Sequence, residues 1–257
     1  MLSSRSLAIS GTGIRLLLAD PAPVLVNLVM PLLLAGFLMP ATKAQLRLAG
    51  LPEATGAEQV VPGMAVLFAF LSTMLVCTLF FREHAWGTWQ RLRASQASSL
   101  DIVIGKVIPL YLVQLLQMAV LFGAGSLLFG YHPTGSLVAL AVVVATFVAT
   151  LVAFGVALVA SFSTMDQVLV VGNLGGMVMA GLGGALAPAA TLPGWAQAAA
   201  HATPAYWGLE AIRDITVDGA GLADVAPALL ALVGFTLAFA AVVAWRFRPA
   251  DAKVGTT

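Results

Sequence analysis

Charge is what this chain most lacks. Of its 257 residues only 9% are Asp, Glu, Lys or Arg, where an ordinary globular domain carries about 25%. Hydrophobic residues make up 60%, and the mean hydropathy is +1.00. That balance excludes a water-soluble domain and requires lipid as the solvent. Cysteine is nearly absent: Cys77 stands alone, so it has no disulfide partner within the chain, and its place inside an apolar run suits packing. Short segments of alternating polarity, the mark of an outer-membrane barrel, are missing as well. The apolar runs are continuous and long, so each reads as a helix able to cross about 30 Å of hydrocarbon. The first residues hold one arginine and no compact apolar block ending in a cleavage site, so the first span is expected to be retained.

Six spans follow from the uncharged runs, at about 21–42, 62–81, 107–130, 136–160, 168–187 and 224–246. The fold class is an all-α integral membrane protein with one transmembrane domain over residues 21–248. It is preceded by an interfacial segment at 1–20 that turns at Asp20-Pro21 and followed by a tail at 249–257. The interval from Lys106 to Asp166 is too long for one crossing, and His132-Pro133-Thr134-Gly135 divides it. Residues 195–221, broken by Pro204 and bearing Glu210, Arg213, Asp214 and Asp218, read as two short re-entrant or interfacial helices meeting near that proline.

Six spans put both termini on one side, together with the loops at 82–101 and 161–167. That side holds Arg5, Arg15, Arg82, Arg91, Arg93, Lys106, Arg246, Arg248 and Lys253, leaving only Lys43, Arg47 and Arg213 opposite. Basic residues beside spans stay in the cytoplasm, so both termini of this multi-pass cell-membrane protein are expected there.

The densest cluster of charge is Arg82-Glu83-His84-Ala85-Trp86-Gly87-Thr88-Trp89-Gln90-Arg91-Leu92-Arg93-Ala94-Ser95. Its Trp and Arg residues separate onto two faces of a helix, which fits an amphipathic helix at the lipid boundary. A solubilising loop held inside by its basic charge fits the same residues equally well. This run, followed by Ile104-Gly105-Lys106 and Pro109, resembles the signature of ABC-2 type transporter permeases. So does Leu192-Pro193-Gly194-Trp195 with Thr203-Pro204-Ala205-Tyr206-Trp207-Gly208-Leu209-Glu210-Ala211-Ile212-Arg213, and Asp20-Pro21 and Pro31 are similar too. The order of the matches is kept along essentially the whole chain. Two positions depart from the common pattern: Ala85 stands where many members have an acid, and Gln96 where many have proline.

The resemblance implies a permease driven through its cytoplasmic coupling helix, between spans two and three, by a separate ATP-binding subunit present in two copies. Arg82, Glu83, Trp86, Gly87, Thr88 and Arg91 would carry the coupling, and Asp166, in the turn Ser163-Thr164-Met165-Asp166-Gln167, would make a second contact unless that is an ordinary tight turn. ATP and Mg²⁺ would sit on the partner, because this chain has no G-x-x-x-x-G-K-[ST] loop and is expected to have no ATPase site of its own. A second permease copy or a homologous one would complete the assembly.

Gly172, Gly176, Ala180 and Gly184 recur every four residues, a small-residue stripe open to three uses: packing within the chain, a dimer seam, or a pathway wall. Asn27, Asn173, Met177, Phe68, Phe70 and Met74 could line a cavity for an amphipathic compound, although each alone fits a core. Ionisable residues are absent from the middles of the spans, which argues against a proton-coupled carrier. No nucleic acid or metal is expected as a partner. The expected function is export of a hydrophobic or antibiotic-like compound, and a lipid or polysaccharide exporter or a non-transporting scaffold or immunity protein is the alternative.

Overall fold

The computed structural model describes residues 4–19, 21–48, 50, 53–85 and 98–246. Among them run α1 (Ser4–Ala19), α2 (Ala22–Leu48), α3 (Ala57–Ala85), α4 (Ser99–Phe129), α5 (Leu137–Ser161), α6 (Met165–Leu182), α7 (Gly194–Ala200), α8 (Pro204–Val217) and α9 (Ala226–Arg246). A 3₁₀ turn at Ala189–Thr191 links α6 to α7, and no strand occurs among the described residues. Six of these helices, α2 to α6 and α9, are long and apolar enough to cross a membrane. The two short helices expected between the last two spans are α7 and α8, hinged where Thr203 Oγ1 donates to the Ala200 carbonyl (2.8 Å) and accepts from Tyr206 N (3.3 Å).

Charge ends a span in the sequence without ending the helix. α2 continues past Thr42 to Leu48, because Lys43, Gln45 and Arg47 are good helix formers. α3 starts at Ala57, ahead of Pro62, because the Glu58 carboxylate folds back onto the N–H groups just before the helix while Thr55 Oγ1 accepts from Ala57 N (3.2 Å). Glu58 Oε1 accepts from Thr55 N (3.2 Å) and Oε2 from Gly56 N (2.9 Å). α4 starts before Lys106 for the same reason, with Ser98 and Asp101 capping each other. α6 stops at Leu182, short of the apolar run, where Gly184 takes φ 98°, a conformation suited to glycine.

α3 is the axis of the bundle. It packs against α2, α4, α5, α6 and α8, and 72% of its apolar window is buried, against 11% for α2 and for α9. Phe70 meets Phe147 and Phe154 edge-on at 6.1 and 6.3 Å between centroids, an arrangement that adds about 0.5–1.5 kcal/mol per pair beyond burial.

Prolines inside the spans free carbonyls that neighbouring helices then satisfy. Pro31 has no N–H for the Asn27 carbonyl, and Gln117 Nε2 of α4 donates to it instead (3.4 Å). Pro109 likewise releases the Gly105 carbonyl, which accepts from Ser10 Oγ of α1 (2.9 Å). A backbone group left open in hydrocarbon costs several kcal/mol, so each substitution by a side chain ties two helices together. α1 is held along the start of α4 by this bond, by Ser6 Oγ donating to Asp101 Oδ1 (3.1 Å), and by the lack of a side chain at Gly105, where a Cβ would stand 2.7 Å from Ile9 Cβ.

Candidate functional site

Alternation of the spans gathers the end of α3, the starts of α4 and α6, and α1 at one end of the bundle. Here Lys106, 5% exposed, places its Nζ 4.3 Å from the Phe80 ring centroid. The segment expected to couple to an ATPase leaves from this end. Arg82 and Glu83 lie on the last backbone turn of α3, with their side chains outside the described atoms, and Trp86, Gly87, Thr88 and Arg91 lie outside the described residues. Asp166 is exposed in the first turn of α6, whose N-cap is Thr164, its Oγ1 accepting from Gln167 N (3.3 Å). An acid there favours the helix dipole whatever else it touches.

The stripe on α6 faces α3. A Cβ on Gly176 would stand 3.3 Å from Phe70 Cβ, and one on Gly172 would collide with the tip of Met74. Gly172, Gly176 and Ala180 are buried, so these small residues let α6 close on the axis helix. Gly184 lies beyond the helix, in the turn. Of the residues grouped as pathway candidates, Phe70 and Met74 thus share one packed interface with the stripe. Phe68 belongs to a separate cluster with Ala35 of α2, Met177 is 52% exposed on the outer side of α6, and Asn173 is half-buried. Asn27 donates from Nδ2 to the Pro23 carbonyl of its own helix (2.9 Å).

Two features escaped the sequence reading. The first is a polar seam inside the bundle: Ser72 Oγ donates to Gln117 Oε1 (2.6 Å), and Gln114 Nε2 donates to the Ala69 carbonyl (3.2 Å). Gln114 Oε1 is buried without a partner among the described residues. Two glutamines three residues apart in an otherwise apolar run were the available signal, since such a pair shares one helix face.

The second is a cavity of about 410 Å³ at the opposite end, between the end of α2, the start of α3, the α4–α5 loop and α8. Its walls are braced by backbone bonds, Gly135 N to the Ile215 carbonyl (2.9 Å) and Thr134 N to the Thr216 carbonyl (3.2 Å), and by Tyr131 Oη sharing a hydrogen bond with Thr216 Oγ1 (2.7 Å). Burial pushes the Tyr131 hydroxyl up to about 12, so it stays a neutral hydrogen-bonding group. Gln59, 9% exposed, donates from Nε2 to the Gly184 carbonyl (2.8 Å) and pins the α6 turn to α3. Arg213, Glu58 and Gln59 line both this cavity and a narrow crevice beside it that reaches Glu210.

Burial raises the Glu210 pKa above the ordinary carboxylate value, Arg213 opposes the shift, and Asp214 and Asp218 add to it. A raised pKa means that the folded state resists the charged form. The cost is absent below the unfolded value near 4.3 and complete above the folded one. Glu210→Gln is therefore expected to unfold at a higher temperature than the wild type at pH 7.5, with the gain fading as pH falls toward that value. Melting curves in detergent across that range check this, and a gain that grows on acidification would contradict it.

With this geometry in place, comparison with known proteins adds two findings. A family model described as ABC-2 type transporter matches residues 11–217, from within α1 to the end of α8. The chain is also 28% identical over 190 residues to the linearmycin resistance permease protein LnrN of Bacillus subtilis (strain 168), an alignment covering 74% of this chain and 48% of that protein. The chain thus aligns with about half the length of that relative.

Proposed function

The chain belongs to the ABC-2 type transporter family, and from that membership we propose that it is the permease subunit of an exporter for hydrophobic or amphipathic, antibiotic-like compounds. The family match carries the reading, because it runs through five of the six crossing helices as well as through α8. Such a permease is the membrane component of its transporter and works with an ATP-binding subunit. Two copies of that subunit, holding ATP and Mg²⁺, would dock on the end of the bundle to which the six-span topology assigns nine of the twelve basic residues. The positive-inside rule makes that end, with both termini, cytoplasmic. Arg82, Glu83, Trp86, Gly87, Thr88 and Arg91 would form the main contact and Asp166 a lesser one.

A second copy, or a homologous permease, would meet the apolar surfaces that the fold leaves uncovered. The outer face of α6, with Val170, Leu174 and Val178 exposed beside Gly175, is suited to such a seam, since the stripe on its inner face is occupied by α3. The cargo class is supported by the linearmycin resistance for which the relative from Bacillus subtilis is named and by the absence of any sugar- or peptide-binding motif in the sequence.

The test is co-purification with an ABC-type ATP-binding subunit from the same organism, followed by reconstitution into liposomes. Linearmycin and unrelated amphipathic drugs should stimulate ATP hydrolysis several-fold and move across the bilayer only with ATP. Hydrolysis that responds to lipid or polysaccharide alone would assign a different cargo. A chain that binds no ATPase would be a scaffold or immunity protein.

A further inference from the structure

We propose that the cavity between α2, α3, the α4–α5 loop and α8 is a binding site for an amphiphile with an anionic end, a carboxylate or a phosphate. At about 410 Å³ it falls within the range of small-molecule sites, about 300–1,000 Å³. Its lining joins an apolar wall, including Leu46, Pro188 and Val217, to a polar one, and that division matches a molecule with a chain and a head.

The sign of the head follows from which charges are already occupied. Glu58 has both oxygens engaged in capping α3, by Thr55 N and Gly56 N. Glu53 is exposed at the mouth. Glu210 borders the adjoining crevice rather than the cavity, and its burial disfavours the carboxylate. Arg213 differs from all three. It is half-buried and permanently charged, and although its field reaches Glu210 and Asp214, it makes no direct hydrogen bond or ion pair with any described residue. Buried charge is normally paired, and a guanidinium fork matches carboxylate and phosphate oxygens two at a time. The His132 imidazole lines the same wall and supplies a further N–H. Gln59, more than nine-tenths buried, has its amide N–H₂ directed at Gly184, and its Oε1 has no partner among the described residues. That oxygen would accept from the O–H of a singly protonated phosphate, a contact that a carboxylate, with no such proton, does not make. The site does not depend on which compound the transporter moves.

The experiment uses the full chain in phosphatidylcholine nanodiscs, titrated calorimetrically with dodecyl phosphate, dodecanoate and dodecyltrimethylammonium, with empty discs subtracted. Saturable binding of the two anionic probes at one per chain is expected, and none of the cationic probe. Arg213→Gln should weaken the anionic probes by about tenfold or more, and Arg213→Lys should restore part of the affinity. Val217→Trp, which fills the apolar end without touching charge, should block binding while the protein keeps its melting temperature. Phosphatidic acid added to the discs separates the two sources of such a head. Competition identifies a lipid and its absence a free amphiphile, and either result upholds the anionic site. Unchanged affinity in folded Arg213→Gln would overturn the proposal, as would saturable binding of the cationic probe that is lost in Glu53→Gln.

Discussion

Gly63→Leu is expected to leave little folded protein. Gly63 lies in the buried first third of α3, where a Cβ would collide with the carbonyl oxygen of Ala185 in the turn after α6. The obstacle is backbone, and the turn is held by Gln59 at Gly184 and by Ala185 N donating to the Ala180 carbonyl (3.0 Å). It cannot swing aside as a side chain could. Overpacking a well-filled interior costs about 1–3 kcal/mol and sometimes more, out of a total stability of about 5–15 kcal/mol. With a rigid obstacle the upper end applies. Two comparisons isolate the cause. Gly172→Ala meets only the far ends of two flexible side chains, Met74 and Leu158, and Gly123→Ala meets nothing within 4 Å, so both should fold normally. Detergent-solubilised yield and melting temperature give the readout. Gly63→Leu melting with the wild type would mean that α3 and the α6 turn do not touch as described.

Gly87→Trp is expected to bring ATP-driven transport down to the background seen without the ATPase, and Glu83→Ala to reduce it severely, while the permease still inserts and melts normally. Gly87 has no side chain, so in the proposed coupling segment it would let a partner surface approach the backbone closely. An indole there would hold the two proteins apart. Glu83 would offer a carboxylate for charge-assisted bonds across the proposed contact. Transport and hydrolysis by the reconstituted complex, with co-purification of the ATPase, report the effect. Asp166→Asn provides the contrast. If Asp166 serves only the α6 dipole, worth about 0.3–1 kcal/mol, transport survives that change; if it is a contact, hydrolysis falls with stability unaltered. Normal transport by Gly87→Trp would remove the coupling role from this segment.

Much of the architecture was legible before any coordinates. Runs without charge located the crossing helices, Asp20-Pro21 marked the break between α1 and α2, and Pro204 marked the joint between α7 and α8. Helix ends were less legible. Caps such as Thr55 with Glu58 and Ser98 with Asp101 start helices several residues before lipid does, and hydropathy reports only the lipid. The stripe on α6 was visible as a pattern, but its partner was not, since small residues fit any close neighbour.

Composition and order alone determined that this is a multi-pass helical membrane protein, because burying charge in hydrocarbon is costly wherever the helix sits. Only the tertiary structure decided which apolar residues face protein. Phe70 is 1% exposed and Phe37 is 79% exposed, though both lie in uncharged spans. Lipid tails are as apolar as side chains, so a span has no need to turn its hydrophobic face inward, and its sequence carries little record of which face does. For the same reason the axis role of α3, the bonds from Ser10 and Gln117 to proline-freed carbonyls, and the cavity around Arg213 emerged only when helices far apart in the chain were brought together.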